Sequence, residues 1–489
     1  MKLKKIAALL TVAGLASPAF ATNGMNLEGY GPVATGMGGA SMAYDNGNAG
    51  LINNPATLTL IKSGTSRFAV AIGNLNPNID SSMPGTSKHS DGSGYYMPAV
   101  GYTRKDGIVT WGVGMMAQGG MGTEYGTSSF ISGYSSMIGT TSGGSGQEAR
   151  TELGIGRILF PLGFDVTENF NIAGTFDYLW GGMDMRQPMS GSLLSGMVAS
   201  GVVGGSMITG LFGVFNNNAP GGSCTGAGIP ALGGACINDV DYMAIDVSEG
   251  TNKMKQKATT TGTAFNVGFT WKATPQLAVG GVYHAKTNLK DMTGSGKVNM
   301  QVKVGPNTGA ASLGTGGLSQ MSVSGNYKII DFQWPETYGI GISYQANSQW
   351  QIVADYKLIK WSETMKTFRL QFIATDGMFA GSAMNMASPM NWVDQDVFQI
   401  GASYKMSDAM TLRFGANIAN DPVNSQFMNP LFPAIITHQY TAGLGYAVSK
   451  DSNVDFSVTM APENSVKNAS NITTSHSQVN WQAMFTRRF

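Results

Sequence analysis

The sequence predicts an all-β protein: an antiparallel transmembrane β-barrel of about fourteen strands with an N-terminal hatch, or plug, inside its lumen. Many segments alternate apolar and polar residues with a period of two, which is typical of strands with one apolar face. Short polar turns also alternate with long connections, as in bacterial outer-membrane barrels. Only 12% of the residues are charged, against about a quarter in soluble proteins, so we expect much of the surface to face lipid.

Residues 1–21 have the features of a secretory signal peptide. A basic start with three lysines precedes an apolar stretch at residues 6–15 and a small-x-small cleavage site at residues 19–21. The apolar stretch is too short for a membrane-spanning helix. We therefore expect export, cleavage and a mature chain that begins near Thr22.

Residues 22–61 are predicted to form the hatch. The segment is rich in Gly, Ala and Asn and nearly uncharged, whereas a free tail is usually more polar. Its turn Asn53-Asn54-Pro55-Ala56 indicates folded structure, because Pro55 fixes its own backbone and disfavours the helical conformation for Asn54. We expect these four residues to act as a gate. A disordered leader is the alternative.

Residues 62–489 are predicted to form the barrel. Alternation is clear at residues 411–418 and 453–460, where one face would contact outer-membrane lipid and the other the hatch. The long connections include residues 188–255, the largest, and residues 291–320 and 371–390. The last strand ends at Phe489 and resembles the aromatic C-terminal strand that barrel-assembly machinery recognises, so we expect that machinery to be a partner.

Glycines interrupt one predicted strand, residues 108–125. Gly119, Gly120 and Gly122 lie within five residues of one another, and such a run marks a bulge or kink. Unpaired backbone in hydrocarbon costs several kcal/mol per group, so we expect the hatch to cover the interruption from inside. These glycines would then border a lateral opening. A glycine-rich strand packed on a bulky neighbour is the alternative.

The connection 188–255 contains an apolar stretch, residues 193–215, that is long enough to span a bilayer. Its six glycines favour an extracellular loop with one or two short helices over a spanning helix. Exposed apolar surface of this size usually marks a binding site. We predict a ligand-capture surface formed by Phe130, Leu193, Leu194, Met197, Val198, Leu211, Phe212 and Phe215.

Few other residues of the sequence indicate a disulfide, a metal site or a catalytic site. Cys224 and Cys236, the two cysteines of the chain, are expected to form a local disulfide after export. The four histidines lie far apart in sequence, and no nucleophile elbow or phosphate-binding loop is present. We therefore expect no catalytic residues, no metal and no cofactor. The net charge of +1 gives no support for nucleic-acid binding.

Three motifs resemble the FadL family of outer-membrane transporters for long-chain fatty acids and hydrocarbons: Asn54-Pro55-Ala56, residues 120–125 and residues 420–423. The resemblance covers nearly the whole mature chain. It implies a fourteen-stranded barrel with a hatch and a kinked third strand, through which hydrophobic substrate leaves sideways into the membrane.

The carboxylate-binding pair of the fatty-acid members is not matched in register. Arg186 lies near one of its positions, and Lys366 or Arg369 lies near the other. Burying a sixteen-carbon chain is worth on the order of 10 kcal/mol, whereas a partly solvated Arg–carboxylate contact adds about 1–3 kcal/mol. The sequence therefore does not distinguish between a fatty acid, an alkane and an aromatic hydrocarbon as the substrate.

The sequence thus predicts a monomer in the bacterial outer membrane, not an enzyme, that passively takes up hydrophobic small molecules. Substrate would be captured at the apolar loop, pass to a pocket in the lumen and leave through the lateral opening. One alternative is a general diffusion porin for polar solutes, which would need an open lumen. A less favoured alternative is an outer-membrane lipid hydrolase.

Overall fold

The computed structural model of the protein describes residues 23–132, 145–213, 236–247, 258–305 and 317–489. The predicted signal peptide, Cys224 and Phe215 lie outside the described residues. The disulfide between Cys224 and Cys236 therefore stays a prediction.

Among the described residues, twenty-three strands belong to one sheet. They are β1 Ser66–Leu75, β2 Pro77–Met83, β3 Thr86–His89, β4 Tyr95–Asp106, β5 Val109–Gly126, β6 Ala149–Asp165, β7 Phe170–Ser190, β8 Val203–Gly204, β9 Cys236–Asp246, β10 Ala258–Lys272, β11 Leu277–His284, β12 Asn288–Leu289, β13 Met292–Gly305, β14 Gly317–Ile330, β15 Thr337–Gln345, β16 Trp350–Ile359, β17 Thr367–Ala374, β18 Ala383–Pro389, β19 Gln395–Lys405, β20 Met410–Ala419, β21 His438–Ala447, β22 Ser452–Lys467 and β23 Thr473–Arg488.

Antiparallel pairing closes the sheet into a barrel, which confirms the predicted all-β architecture. Around the wall, the ring runs β1, β4, β5, β6, β7, β10, β11, β15, β16, β19, β20, β21, β22 and β23, and β23 pairs again with β1. The sheet as a whole has more strands than the predicted fourteen, because parts of the long connections also form strands. The strands outside the ring are β2, β3, β8, β9, β12, β13, β14, β17 and β18.

The outer face of the ring is apolar. Phe398 and Ile400 in β19 are 58% and 56% exposed, whereas Gln399 between them is buried. Similar alternation runs along β10, where Phe265 and Val267 are exposed. Apolar side chains outside and polar side chains inside suit a wall that is surrounded by lipid.

Five short α-helices lie among the described residues: α1 Pro32–Thr35, α2 Gly50–Asn53, α3 Gly191–Ala199, α4 Ser206–Gly213 and α5 Trp361–Thr364. In the part of the chain that the structure describes, no helix has the length and apolar character needed to cross a membrane. Helices α3 and α4 confirm the short helices predicted within residues 193–215.

Residues 23–61 touch the inner wall on several sides. Helix α1 lies against β21, β22 and β23, whereas the 3₁₀ helix Pro55–Leu60 lies against β6, β7 and β10. A third contact joins the 3₁₀ helix Gly47–Ala49 to β1 and β4. These strands belong to different sides of the ring, and we call residues 23–61, which contact them, the hatch.

The long connections extend the wall on one side. There β7 also pairs with β9, and the pairing continues through β13, β14, β17 and β18 to the two-residue strand β8. Strand β8 joins α3 to α4. The long connections of bacterial barrels are extracellular, so this extension and its two helices mark the extracellular end.

Candidate functional site

Strands β4 and β5 separate part-way along the wall. Their pairing runs from Asp106 opposite Val109 to Val100 opposite Met115. Beyond that point β5 follows β6, while residues 95–99 of β4 stay paired with β1. We call the interval between residues 95–99 and residues 116–123 the window.

The window is closed again towards the extracellular end. The backbone N–H of Asp91 donates to the Glu124 carbonyl at 2.8 Å, and the Glu124 N–H donates to Ser90 Oγ at 2.9 Å. Pro98 lies on the β4 edge and has no N–H to leave unpaired there. The opening is therefore bordered above and below by hydrogen-bonded backbone.

A β-bulge starts the separation. Ala117 lies opposite Gly156 and Gly119 lies opposite Ile155, so Gln118 is an extra residue in β5. Gly119 has φ 156°, and a Cβ atom there would lie 2.1 Å from the Met25 carbonyl oxygen. Only glycine permits this approach of hatch and wall. The bulge thus lies in the predicted glycine run, and Gly120 and Gly122 follow it along the window edge.

Hatch residues cover the bulge from inside. Asn26 forms a backbone bridge with Gly119. The Asn26 Oδ1 atom accepts hydrogen bonds from Gln118 Nε2 at 2.9 Å and from Trp334 Nε1 at 2.5 Å. The Tyr30 hydroxyl donates to the Gln118 carbonyl. Polar groups that the bulge displaces from the ladder are therefore satisfied by the hatch, as a lipid-embedded wall requires.

Asn53 and Asn54, two of the four predicted gate residues, make hydrogen bonds within the hatch. Asn53 Nδ2 donates to the Tyr30 carbonyl at 2.9 Å, so it supports the bulge only indirectly. Asn54 Oδ1 accepts from the Ala56 N–H and caps the 3₁₀ helix that begins at Pro55. The hatch contacts the bulge through Asn26 and Tyr30, and the gate role of residues 53–56 stays a prediction.

Asn54 also fastens the hatch to the wall. Its Nδ2 donates to the Met42 carbonyl at 2.7 Å and to the Phe269 carbonyl at 3.1 Å. A Cβ atom at Gly268 would lie 2.0 Å from Asn54 Oδ1, so the wall needs a glycine beside the turn.

We expect Asn54→Ala to loosen the hatch. It removes three hydrogen bonds, each worth about 1 kcal/mol net, so thermal unfolding of the hatch should occur earlier. Ion conductance in planar bilayers should rise, because polar solutes gain a path past the hatch. Asn169→Ala, in an exposed turn, is the matched control. Conductance equal to that of the wild type would count against a fastening role for Asn54.

Further polar contacts join the hatch to the wall. The N–H groups of Ser41 and Met42 donate to Asp355 Oδ2 at 2.5 and 3.1 Å. Glu28 is held by Gln399, which donates to its carbonyl at 2.6 Å, and by Thr459, which donates to its carboxylate at 2.6 Å. Water can replace such bonds at small net cost. Apolar contacts add to these bonds, since Leu51, Ile52 and Leu58 of the hatch are buried together with Met116 and Leu159 of the wall.

The apolar part of the lumen lies against the hatch's N-terminal residues. We call the buried cluster that contains Met25, Trp334, Trp361 and Trp392 the lumen cluster. The Trp361 ring lies nearly perpendicular to its two tryptophan neighbours, with centroid distances of 6.3 and 5.3 Å. Many methionines complete the cluster. Thioether side chains adapt to differently shaped apolar groups, so the lumen cluster suits a hydrophobic ligand.

Residues 420–423 support the lumen cluster. Asn420 Oδ1 accepts from the Asp396 N–H at 2.7 Å, and Asn420 Nδ2 donates to the Asp394 carbonyl at 3.0 Å. Gln395 joins this turn to the cluster, since it donates to the Asn420 carbonyl and accepts from Trp361 Nε1 at 3.2 Å. The motif therefore holds residues 394–396, which follow Trp392, and is linked to Trp361 through Gln395.

An apolar pocket connects the hatch with the window. It is lined by Leu27 and Tyr30 of the hatch, by Met97 and Pro98 on one window edge, and by Met116 and Ala117 on the other. Leu27 and Met97 also belong to the lumen cluster. A continuous apolar surface thus leads from the lumen to the gap in the wall.

The predicted capture residues are only partly exposed. Leu193 is 49% exposed, but Leu194 and Leu211 are fully buried in the lumen cluster. Met197 and Val198 pack against that cluster, and Phe130 is half-buried. The side chain of Phe212 lies outside the described residues, as does Phe215. Helices α3 and α4 thus turn Leu194 and Leu211 towards the buried cluster, and the capture role of the set stays a prediction.

The residues predicted to bind a carboxylate do not lie together in the structure. Arg186 contacts two carboxylates, Glu148 and Asp246. Lys366 and Arg369 have exposed side chains near the extracellular extension. A different basic set lines a cavity beside the hatch, where Arg157, His284 and Lys357 come together. These residues come from three separate strands, so their spacing in sequence gave no signal.

The comparisons with known proteins agree with this geometry. The family described as "Outer membrane protein transport protein (OMPP1/FadL/TodX)" matches residues 212–487, which is more than half of the chain. The protein belongs to this family. FadL-family proteins of this fold are transport channels of the outer membrane, so the protein is an outer-membrane β-barrel and not an enzyme.

Several solved structures share the FadL-family fold. The toluene transporter TodX of Pseudomonas putida is 23% identical, with a TM-score of 0.76 over 95% of this chain and 99% of that chain. The toluene transporter TbuX of Ralstonia pickettii is 27% identical, with a TM-score of 0.70 over 95% and 99%. A FadL homologue from Pseudomonas aeruginosa is 15% identical, with a TM-score of 0.60 over 95% and 98%.

A curated relative adds a local match. An uncharacterized Chlorobium limicola protein from the 5′ region of a phosphoenolpyruvate carboxykinase gene is 52% identical over 84 residues. The match covers 17% of this chain and 41% of the relative. The chain therefore spans about two-fifths of the length of that relative.

Proposed function

We propose that the protein passively takes up hydrophobic small molecules and releases them sideways through the window into the outer membrane. The observation that carries this proposal is the apolar pocket that joins the lumen to the gap between β4 and β5. A ligand that follows this surface stays out of the aqueous periplasm. The hatch blocks the straight route through the barrel, which argues against a general porin.

The finer architecture follows from the same proposal. The fourteen strands of the closed ring would span the membrane, and residues 22–61 would act as the hatch. The turn at Asn53-Asn54-Pro55-Ala56 would hold the hatch while residues 23–30 move at the window. Because the ring closes within one chain, a monomer is sufficient for transport. The strand that ends before Phe489 would be the one recognised during assembly.

Two substrate classes fit the site. The similar transporters TodX and TbuX are named for toluene, and the tryptophans of the lumen cluster offer ring faces and edges to an aromatic molecule. The cavity that contains Arg157, His284 and Lys357 would instead hold a carboxylate beside the apolar cluster. We propose that hydrocarbons use the lumen cluster alone and fatty acids use both.

We expect Leu194→Asp to impair ligand capture. Leu194 is fully buried where α3 meets the lumen cluster. A carboxylate at this position would be hydrated and would separate α3 from the cluster. Burial of a leucine side chain is worth about 1.5–3 kcal/mol, so ligand affinity should fall by roughly tenfold to a hundredfold. Equilibrium binding of toluene and hexadecanoate measures this.

Ser195→Asp is the matched control, because Ser195 is exposed on the same helix and is not one of the predicted capture residues. Both variants should still show the heat-modifiable gel mobility of a folded barrel. Equal affinities for the two variants would contradict the assignment of Leu194 to the capture route.

The overall proposal is tested by uptake. A strain that lacks the protein should take up radiolabelled toluene, hexadecane and hexadecanoate more slowly, and the wild-type gene should restore at least one of these rates. Purified protein in planar bilayers should show no large steady conductance. The proposed function would be refuted if the deletion left the uptake of all three compounds unchanged.

A further inference from the structure

We infer that the connection between β20 and β21 narrows the extracellular end of the lumen, and that Phe432 on it sets the width of the ligands that enter. We call residues 428–436 the constriction loop. The inference rests on the proposed function and names a narrower class of ligand. Single-ring aromatics and unbranched chains enter the lumen, whereas fused-ring hydrocarbons are excluded.

The constriction loop is buried although it has no regular structure. Residues 430–436 are all buried, and none of them belongs to a strand or a helix. A buried loop normally carries backbone polar groups that cannot be satisfied, so this one needs partners from elsewhere. Five of its side chains belong to the lumen cluster: Met428, Leu431, Phe432, Ala434 and Ile435.

Wall side chains on the far side of the ring supply some of these partners. The Leu431 carbonyl accepts hydrogen bonds from Thr151 Oγ1 at 2.6 Å and from Thr123 Oγ1 at 3.3 Å. The Pro430 carbonyl accepts from the Tyr125 hydroxyl at 3.1 Å. These donors belong to β5 and β6, which lie across the ring from β20 and β21. The constriction loop therefore crosses the lumen.

Further donors hold the returning half of the loop. His476 Nδ1 of β23 donates to the Pro433 carbonyl at 2.9 Å, and Asn464 Nδ2 of β22 donates to the Ile435 carbonyl at 2.6 Å. Pro430 and Pro433 also have fixed φ angles and no N–H group to satisfy. Because its backbone is bonded to both sides of the lumen, the loop presents a fixed edge to a passing ligand.

Phe432 lies where the constriction loop meets the extracellular extension. Its ring is 6% exposed and lies 5.9 Å from the ring of Phe368, measured between centroids. Phe368 belongs to β17, whose partner β18 pairs with β8 between helices α3 and α4. A ligand that moves from these helices towards the tryptophans of the lumen cluster therefore passes Phe432.

The size of this side chain predicts the size of the ligand. A close-packed cluster holds no free space, and the backbone of the constriction loop is fixed. Space therefore opens only when the Phe432 ring rotates about its side-chain bonds, and the space freed is about that of one benzene ring. Toluene or an unbranched chain fits this space, whereas fused rings would also require the backbone to move.

The test compares the uptake of toluene with that of pyrene, a fused-ring hydrocarbon. Cells that lack the protein receive the wild-type gene or a variant, and the rate of cells without either is subtracted. Phe432→Ala should raise pyrene uptake at least roughly tenfold, the factor that a small difference in volume produces in an apolar site. Toluene uptake should stay within about twofold, since toluene already passes the wild-type side chain.

Thr151→Val provides a second variant should Phe432→Ala fold poorly. It keeps the shape of the side chain but removes the shorter hydrogen bond to the Leu431 carbonyl. The loosened loop should admit pyrene about threefold to fivefold faster, as expected for one lost hydrogen bond, with toluene uptake unchanged. A purely structural role of Thr151 would instead lower both rates together.

Phe427→Ala is the matched control. Phe427 is half-buried on the same connection and lies outside the lumen cluster, so its removal should change neither rate. Heat-modifiable gel mobility should be the same for all variants.

The outcomes separate this inference from the proposed function. If Phe432→Ala and Thr151→Val both keep the wild-type ratio of pyrene to toluene uptake, the constriction loop does not select by width. An equal rise in pyrene uptake for Phe427→Ala would overturn the inference in the same way. If toluene uptake does not depend on the protein at all, the proposed function is refuted and the selection falls with it.

Discussion

Crosslinking the two edges of the window should stop transport and leave ligand binding intact. Pro98 and Ala117 lie on opposite edges, both in the apolar pocket, two positions beyond the last β4–β5 pair, Val100 with Met115. Cysteines at these positions, joined by a short bifunctional maleimide, would bridge the gap through which the ligand leaves. We expect uptake to fall at least roughly tenfold, equivalent to about 1.4 kcal/mol in the barrier, while equilibrium affinity stays within about twofold.

The comparison is made within one preparation. The double-cysteine protein before crosslinking should transport normally, and so should a protein crosslinked between Ala402 and Phe414, which are paired elsewhere in the wall. The native cysteines are replaced by serine throughout. If the crosslinked protein transports at the normal rate, lateral release is wrong and the ligand must pass the hatch.

Much of the barrel follows from local sequence, because membrane strands carry their signal in alternate residues. Phe398 and Ile400 are apolar and Gln399 is polar, and the structure turns them to opposite faces of β19. The glycine run at residues 119–122 likewise predicted an interruption, since few structures other than a bulge need such a run. In both cases the deciding interactions lie within a few residues of one another.

The extracellular extension was missed although its pattern was present. Val298, Met300 and Val302 alternate with polar residues in β13, yet residues 291–320 were assigned to a loop. An expectation of long loops on one side of the barrel outweighed the local alternation. Pairing with β9 and β14, which depends on distant segments, decides the conformation here.

The contacts of the site depend on still longer separations. Asn26 and Trp334 are far apart in sequence, as are Asn54 and Phe269. No sequence motif or periodicity links residues that are so far apart. The sequence therefore predicts a structured turn at Asn54 but not the residues to which Asn54 is hydrogen-bonded. Arg186 lies near a carboxylate-binding position of the family but out of register, and its guanidinium contacts Glu148 and Asp246, which the sequence could not show.

Replacing Lys357 should separate the two substrate classes. Lys357 lines the cavity beside the hatch together with Arg157 and His284, and Arg157 already bonds Asp177 at 2.7 Å. Lys357 lies within electrostatic reach of the Asp355 and Glu28 carboxylates, and we propose that it also meets a carboxylate that enters with its acyl chain in the lumen cluster. A hydrogen bond to a charged group contributes about 1.5–3 kcal/mol, so Lys357→Met should weaken hexadecanoate binding roughly tenfold to a hundredfold.

Neutral ligands test whether this loss comes from charge. Hexadecanol carries the same chain without a carboxylate, and its affinity for Lys357→Met should stay within about twofold, as should that of toluene. Burial of the chain supplies on the order of 10 kcal/mol in either case. Lys366→Met removes an exposed lysine and should leave all three affinities unchanged. Equal losses for hexadecanoate and hexadecanol would mean that Lys357 shapes the cavity and does not bind the head group, and the protein would then have no basis here for preferring fatty acids to hydrocarbons.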